Sequence, residues 1–151
     1  TFRPVREAAS CGEDEACRER AIGRHLEKKA KERSRPAKAN YARADEDGRR
    51  YYGRGFVQLT HKATYEHAAH KTGIPLDKEP DMALEPKVAA EILIRGMLEG
   101  WYGKRRPLSA YIADNKLDWF NARDTVNPES PHKAITAEYA RDLLSCLRRK
   151  R

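Results

Sequence analysis

Cysteine is scarce in this chain of 151 residues, which has three: Cys11, Cys17 and Cys146. An odd count excludes a complete disulfide framework and leaves room for one bridge and one free thiol. No C-x-x-C pair occurs and the histidines lie elsewhere, so no metal site is expected. Long apolar runs are missing as well. No window reaches the ~18 apolar residues of a membrane-spanning helix, and no apolar h-region of a secretory signal stands near the N-terminus. The phosphate-cradling patterns G-x-x-x-x-G-K-[ST] and G-x-G-x-x-G do not occur. Ser10, Ser109 and Ser145 lie in no nucleophile-elbow pattern, so serine hydrolase chemistry is not supported.

What the chain has is charge. Lys and Arg number 31 against 23 Asp and Glu, a formal net charge of +8. Such a balance suits anionic partners: nucleic acid, an acidic membrane face or the acidic polymers of a bacterial wall. The length fits one domain with one core, and 7 Tyr, 2 Trp and 3 Phe supply large apolar area to fill it.

Residues 10–50 read as a charged insertion. Ile22, Leu26 and Ala30 recur at i, i+4, i+8 and permit one thin helical stripe, a solvated salt-bridged helix ending by Pro36. Arg18, Arg20, Arg24, Lys28, Lys29, Lys31, Arg33 and Arg35 also suit a nucleic-acid arm, which the interspersed Glu15, Glu19, Glu27 and Glu32 weaken. From Tyr51 onward the elements are clearer. Residues 51–60 alternate between glycines as a short extended or hairpin segment. Residues 62–72 predict a helix stopped by Gly73, with Pro75 beyond. Pro86 opens another helix, with Val88, Ala89, Ile92, Leu93 and Met97 on its apolar face. Gly96 and Gly100 permit close packing there, and a shorter helix through Leu108, Tyr111 and Ile112 follows. Ile135, Tyr139, Leu143 and Leu147 mark a last helix, whose basic end Arg148-Arg149-Lys150-Arg151 suits the negative end of its dipole. The fold class is therefore mainly α, with one small extended element in the middle.

The chemistry concentrates in residues 52–60. Two glycines around Arg54 imply close backbone approach, and a guanidinium there can hold a carboxylate through two parallel hydrogen bonds. Gln58 and Thr60, two apart on an extended segment, would offer an amide and a hydroxyl on one face, groups that suit a sugar or a water. His61, His67 and His70 read as helix-surface residues, because too few ligands accompany them for a metal. Trp101 reads as a core anchor.

YYGRGFVQLTHKATY, at residues 51–65, resembles the central motif of family 19 glycoside hydrolases, the chitinase and phage-endolysin group of the lysozyme superfamily. The resemblance continues through DMALEPKVAAEILIRGMLEGWYG, LSAYI and WFNARDTVN to the helix around Tyr139, and the opening segment from Thr1 to Glu7 is similar as well. It implies a lysozyme-like domain over residues 1–151 that cleaves β-1,4 bonds of peptidoglycan or chitin with inversion, outside the cytoplasm and without a cofactor. Inversion needs one carboxyl group as acid and another as base, about 6.5–9.5 Å apart. The resemblance assigns the base to Glu7, the water-holding hydroxyl to Thr60, and substrate contacts to Tyr52, Arg54, Gln58 and Asn127. The family's acid, the Glu of a His-Glu-Thr segment, is expected upstream of Thr1, with Asp45, Glu46 or Asp47 as internal substitutes. Pro128 stands where the family often has glycine, and Thr64 replaces a common asparagine. The expected partner is a wall polysaccharide, with no nucleic acid and no membrane span. A non-catalytic glycan binder and a basic nucleic-acid-binding protein are the alternatives.

Overall fold

The computed structural model describes residues 3–34, 36, 39–103 and 105–148. Thr1, Phe2, Arg35 and the basic run at 149–151 lie outside the described residues. The chain is mainly α and divides into two compact units, residues 1–92 and 93–151.

The first unit opens with strand β1 (Val5–Arg6), and helix α1 (Glu15–Glu32) follows. Asp14 caps α1 by accepting the Cys17 N–H at 2.9 Å, satisfying one of the donors that a helix start leaves unpaired. Cys11 and Cys17 form a disulfide that ties the preceding turn to this first helical turn, and Cys146 is a free, exposed thiol. The thin stripe on α1 is used: Ile22 is buried with Ala42 and Tyr52, and Leu26, Ala8 and Tyr41 pack around them. The stripe is extended by a residue that the apolar pattern omits. Arg18, one turn before Ile22, is 0% exposed. Helix α1 is therefore docked along this face and solvated along the other.

Strand β2 (Arg54–Gly55) pairs antiparallel with β1, Val5 opposite Gly55 and Arg6 opposite Arg54. Residues 51–60 are not one extended strand. After β2 the chain turns through 56–58, and Arg54 and Leu59 exchange backbone hydrogen bonds at 3.2 and 2.9 Å. Helix α2 (Lys62–Thr72) ends at a left-handed Gly73 whose N–H bonds the Ala69 carbonyl, as the glycine stop predicts. Helix α3 begins at Pro86 and runs to Glu99 (Pro86–Glu99), with Val88, Ala89 and Ile92 buried.

In the second unit Tyr102 lies over Gly96, where a Cβ would overlap its ring, so the small residue is required by packing. Trp101 is buried. The predicted short helix reaches only Leu108–Ala110, as a 3-10 turn. Ile112 instead enters a second hairpin, β3 (Ile112–Ala113) with β4 (Lys116–Leu117). The Asp114-Asn115 pair between them has turn chemistry. Helix α4 (Trp119–Ala122) and the terminal helix α5 (Lys133–Arg148) complete the unit. On α5 the periodic residues Ile135, Tyr139, Leu143 and Leu147 are 44–65% exposed; the helix packs through Ala137 instead.

Candidate functional site

The β1–β2 ladder carries Glu7 to residue 53. Just past the paired strands, the Glu7 N–H donates to the Gly53 carbonyl at 2.6 Å. The Glu7 side chain turns back on the same residue, Oε2 accepting the Gly53 N–H at 2.8 Å. Oε1 accepts the Tyr41 hydroxyl at 2.8 Å. Both carboxylate oxygens are thus fixed by neutral donors, and each keeps acceptor capacity for another hydrogen.

Gly53 makes this closeness feasible. A Cβ there would sit 2.8 Å from Gln58 Oε1 and 3.0 Å from Glu7 Oε2, so the two side-chain oxygens converge on one bare Cα. Gln58 is held firmly. Its Nε2 donates to the carbonyls of Val5 at 2.9 Å and Gly55 at 3.1 Å. Its backbone is left-handed at φ 55, a region unfavourable for a residue with a side chain. Such strain persists where surrounding bonds over-determine it, and the paired amide bonds do so here. The Thr60 hydroxyl donates to the Gln58 carbonyl at 2.6 Å and keeps its lone pairs. The turn at 56–58 breaks the alternation, so Gln58 and Thr60 are joined by this bond rather than by a shared extended face.

Tyr52 and Arg54 act from beneath. They are 1% and 4% exposed, and the Arg54 guanidinium lies 3.7 Å from the Tyr52 ring centroid, with Arg18 at 4.7 Å from the same centroid. Arg54 does hold a carboxylate, that of Asp81, at 2.6 Å through Nε alone, while Nη1 spans the carbonyls of Arg50 and Tyr52 and the Tyr65 hydroxyl. Arg6, its cross-strand neighbour, takes the other Asp81 oxygen at 2.7 Å. The Arg54 pKa is raised: burial opposes the charge, and Tyr65, Tyr52 and Asp81 outweigh it. Both residues set the backbone path of 52–55, whereas Glu7, Gln58 and Thr60 are only half-buried. Asn127 belongs to the second unit, where its N–H bonds the Arg123 carbonyl and its carbonyl accepts from Ser130.

Residues 45–47 form a hydrogen-bonded turn. Asp45 Oδ1 accepts the N–H groups of Arg49 at 2.8 Å and Asp47 at 3.1 Å, and Oδ2 lies 3.3 Å from Lys62 Nζ. These bonds, the Arg49 N–H foremost, hold the Asp45 carboxyl below its usual range. A general acid needs the opposite shift, so Asp45 is unsuited to that role. Asp47 pairs with Arg49 at 2.7 Å. His61, His67 and His70 are exposed, and His61 meets the Tyr41 ring edge-on at 4.7 Å between centroids. Among the described residues no group of three His, Cys, Asp or Glu side chains is placed to hold a metal ion.

Two contributors lie inside the charged segment. Tyr41 stands out there only as its one aromatic residue. Arg18 precedes Ile22 and Leu26 at the same four-residue spacing, and that position on the stripe is its signal. It donates to the Glu7 carbonyl at 3.1 Å, to Glu15 Oε1 at 3.1 Å and to the Gly12 carbonyl. The Tyr52 hydroxyl joins Glu15 at 2.9 Å. A buried guanidinium thereby links the backbone of Glu7 to α1. Comparison with models of protein families, with curated proteins and with solved structures gives no match for this chain.

Proposed function

We propose that the chain is a lysozyme-like glycosidase domain of the family 19 type, with Glu7 as the general base of an inverting cleavage of β-1,4-linked wall glycan. The observation that carries this reading is the Glu7 carboxylate held through both oxygens beside Gln58 Oε1 at Gly53. A base that activates water must be fixed in direction yet keep a free lone pair, and neutral donors from Tyr41 and Gly53 leave that capacity intact. Thr60, with its proton committed to the Gln58 carbonyl, offers an acceptor to the attacking water. Gln58 offers its amide oxygen to a sugar hydroxyl. The acid that protonates the leaving oxygen is a separate group in this scheme, and Asp45 is excluded from it by its hydrogen bonds. Peptidoglycan is favoured over chitin because a charge of +8 suits an anionic wall. The Cys11–Cys17 disulfide suits action in an oxidising compartment outside the cytoplasm.

The test is release of reducing ends from purified peptidoglycan and from chitin oligosaccharide, by the chain and by Glu7→Gln. Cleavage by the first, reduced at least about a hundredfold in the second with folding intact, is the expected result. Equal activity in both removes Glu7 from the mechanism. Saturable wall binding without cleavage by either replaces the hydrolase with a glycan-binding domain of the same site.

A further inference from the structure

Between α1 and residues 39–43, the segment that carries Tyr41, lies a groove of about 510 Å³. Gly23 lines it. A Cβ there would come within 3.1 Å of Asn40 Nδ2, which reaches across to the Glu19 carbonyl at 2.9 Å. Mid-helix glycine costs about 1 kcal/mol relative to alanine, and here it lets residues 39–43 approach the helix. Arg20 and Arg24, one turn apart on α1, line one wall, and Arg43 lines the groove with them. The opposing charges do not cancel these three. Glu19 is matched by Arg50 at 2.9 Å before Arg43 approaches it at 3.4 Å, which leaves Glu27 as the remaining anion of the lining. Arg20 and Arg24 make no ion pair among the described residues.

We infer that this groove binds an oxyanion, phosphate or carboxylate, carried by the glycan that lies across Glu7. The inference rests on the glycosidase reading and narrows its substrate to an anionic polymer. Guanidinium forks fit both oxyanions bidentately. The linkage to Glu7 is direct in the chain: Asn40 turns toward the groove and its neighbour Tyr41 turns toward the Glu7 carboxylate. The groove has the volume for a single charged sugar-sized unit, whereas duplex nucleic acid needs a continuous basic track, and on α1 the exposed Glu27 and Glu32 interrupt one.

Three preparations serve as probes: wall retaining its phosphodiester-linked polymer, wall stripped to peptidoglycan carboxylates, and neutral chitin. Co-sedimentation is measured at low and high salt with the chain and with Arg20→Glu/Arg24→Glu, both sites being exposed. The expected result is salt-sensitive binding to anionic wall, weakened about tenfold or more in the double variant. Loss confined to the first preparation identifies phosphate as the oxyanion, and loss on both identifies carboxylate. Unchanged binding by the double variant overturns the inference, as does equal affinity for chitin and wall. Tighter arginine-dependent binding to duplex DNA overturns it in favour of a nucleic-acid surface. If arginine-dependent wall binding stands while no reducing ends are released, the groove stands and the hydrolase reading falls. Cleavage without arginine-dependent binding is the reverse.

Discussion

Tyr41 donates its hydroxyl hydrogen to Glu7 Oε1 at 2.8 Å across 34 positions of sequence. The bond crosses from a charged, irregular segment to the end of a two-residue strand, and it fixes the direction of the carboxylate. Replacing Tyr41 by Phe removes the donor and keeps the ring against His61. The expected result is a loss of about 1 kcal/mol or slightly more of stability and a fall of about tenfold in reducing-end release. Denaturant unfolding and the cleavage assay together check it. Full activity in a folded Tyr41→Phe protein shows that Glu7 needs no such hold.

Gly53→Ala separates catalysis from folding. The added Cβ meets Gln58 Oε1 at 2.8 Å, Glu7 Oε2 at 3.0 Å and Gln58 Cβ at 3.3 Å, all side-chain atoms, so it pushes the two groups out of their hydrogen bonds rather than the backbone out of its path. Thermal melting should shift by only a few degrees, because neither displaced group is packed backbone. Reducing-end release should fall at least about tenfold, because a displacement of about 1 Å is enough to misalign a base. A variant as active as the parent contradicts the placement of the site at Gly53.

Alkaline pH should act through buried tyrosines. Tyr41 and Tyr65 hold their protons above the ordinary range, in both cases first because of burial; Glu7 adds to this for Tyr41, and Arg54 only partly offsets it for Tyr65. Each stays neutral in the folded chain where the unfolded chain has ionised it. Their contribution to stability is complete below about pH 10, the unfolded value, and falls as pH rises beyond it toward the raised folded values. Urea unfolding across that range should show the decline, with a shallower slope in Tyr41→Phe/Tyr65→Phe. An identical slope assigns the effect to other groups.

The Cys11–Cys17 bridge closes a short loop between Glu7 and α1. Chain-entropy reasoning gives about 2 kcal/mol for a loop of this length. Cys11→Ser/Cys17→Ser should lose that stability and also lose activity, since Arg18 and Glu7 are joined across the same stretch. Unfolding and cleavage measured with and without reductant provide the check.

The helices with clear punctuation are legible in the sequence. Gly73 stops α2 and Pro86 starts α3, because each residue type fixes a backbone state locally. Glu7 and Gln58, marked by resemblance, do come together at Gly53. The pairing of Val5 with Gly55 was not legible, since a two-residue strand has no period to read. The turn at Gln58 was hidden because no glycine announces its positive φ. Periodicity on α5 marked a helix correctly but not its burial, because spacing shows which residues share a face and not what covers that face. Arg18 was hidden by its type: an arginine on an apolar stripe reads as solvated until its acceptors are seen.

The way α5 is attached bears on the order in which the second unit comes apart. Ile135, Tyr139, Leu143 and Leu147 stand in solvent, and the helix is held at Ala137 and by the ion pair of Lys133 with the buried Asp124. Of the 16 residues of this helix Ala137 alone is fully buried, with Thr136, Ala140 and Leu144 half-buried. Amide protons along its outer turns should therefore exchange through local detachment well before the unit unfolds as a whole, making this helix the hinged edge from which melting spreads.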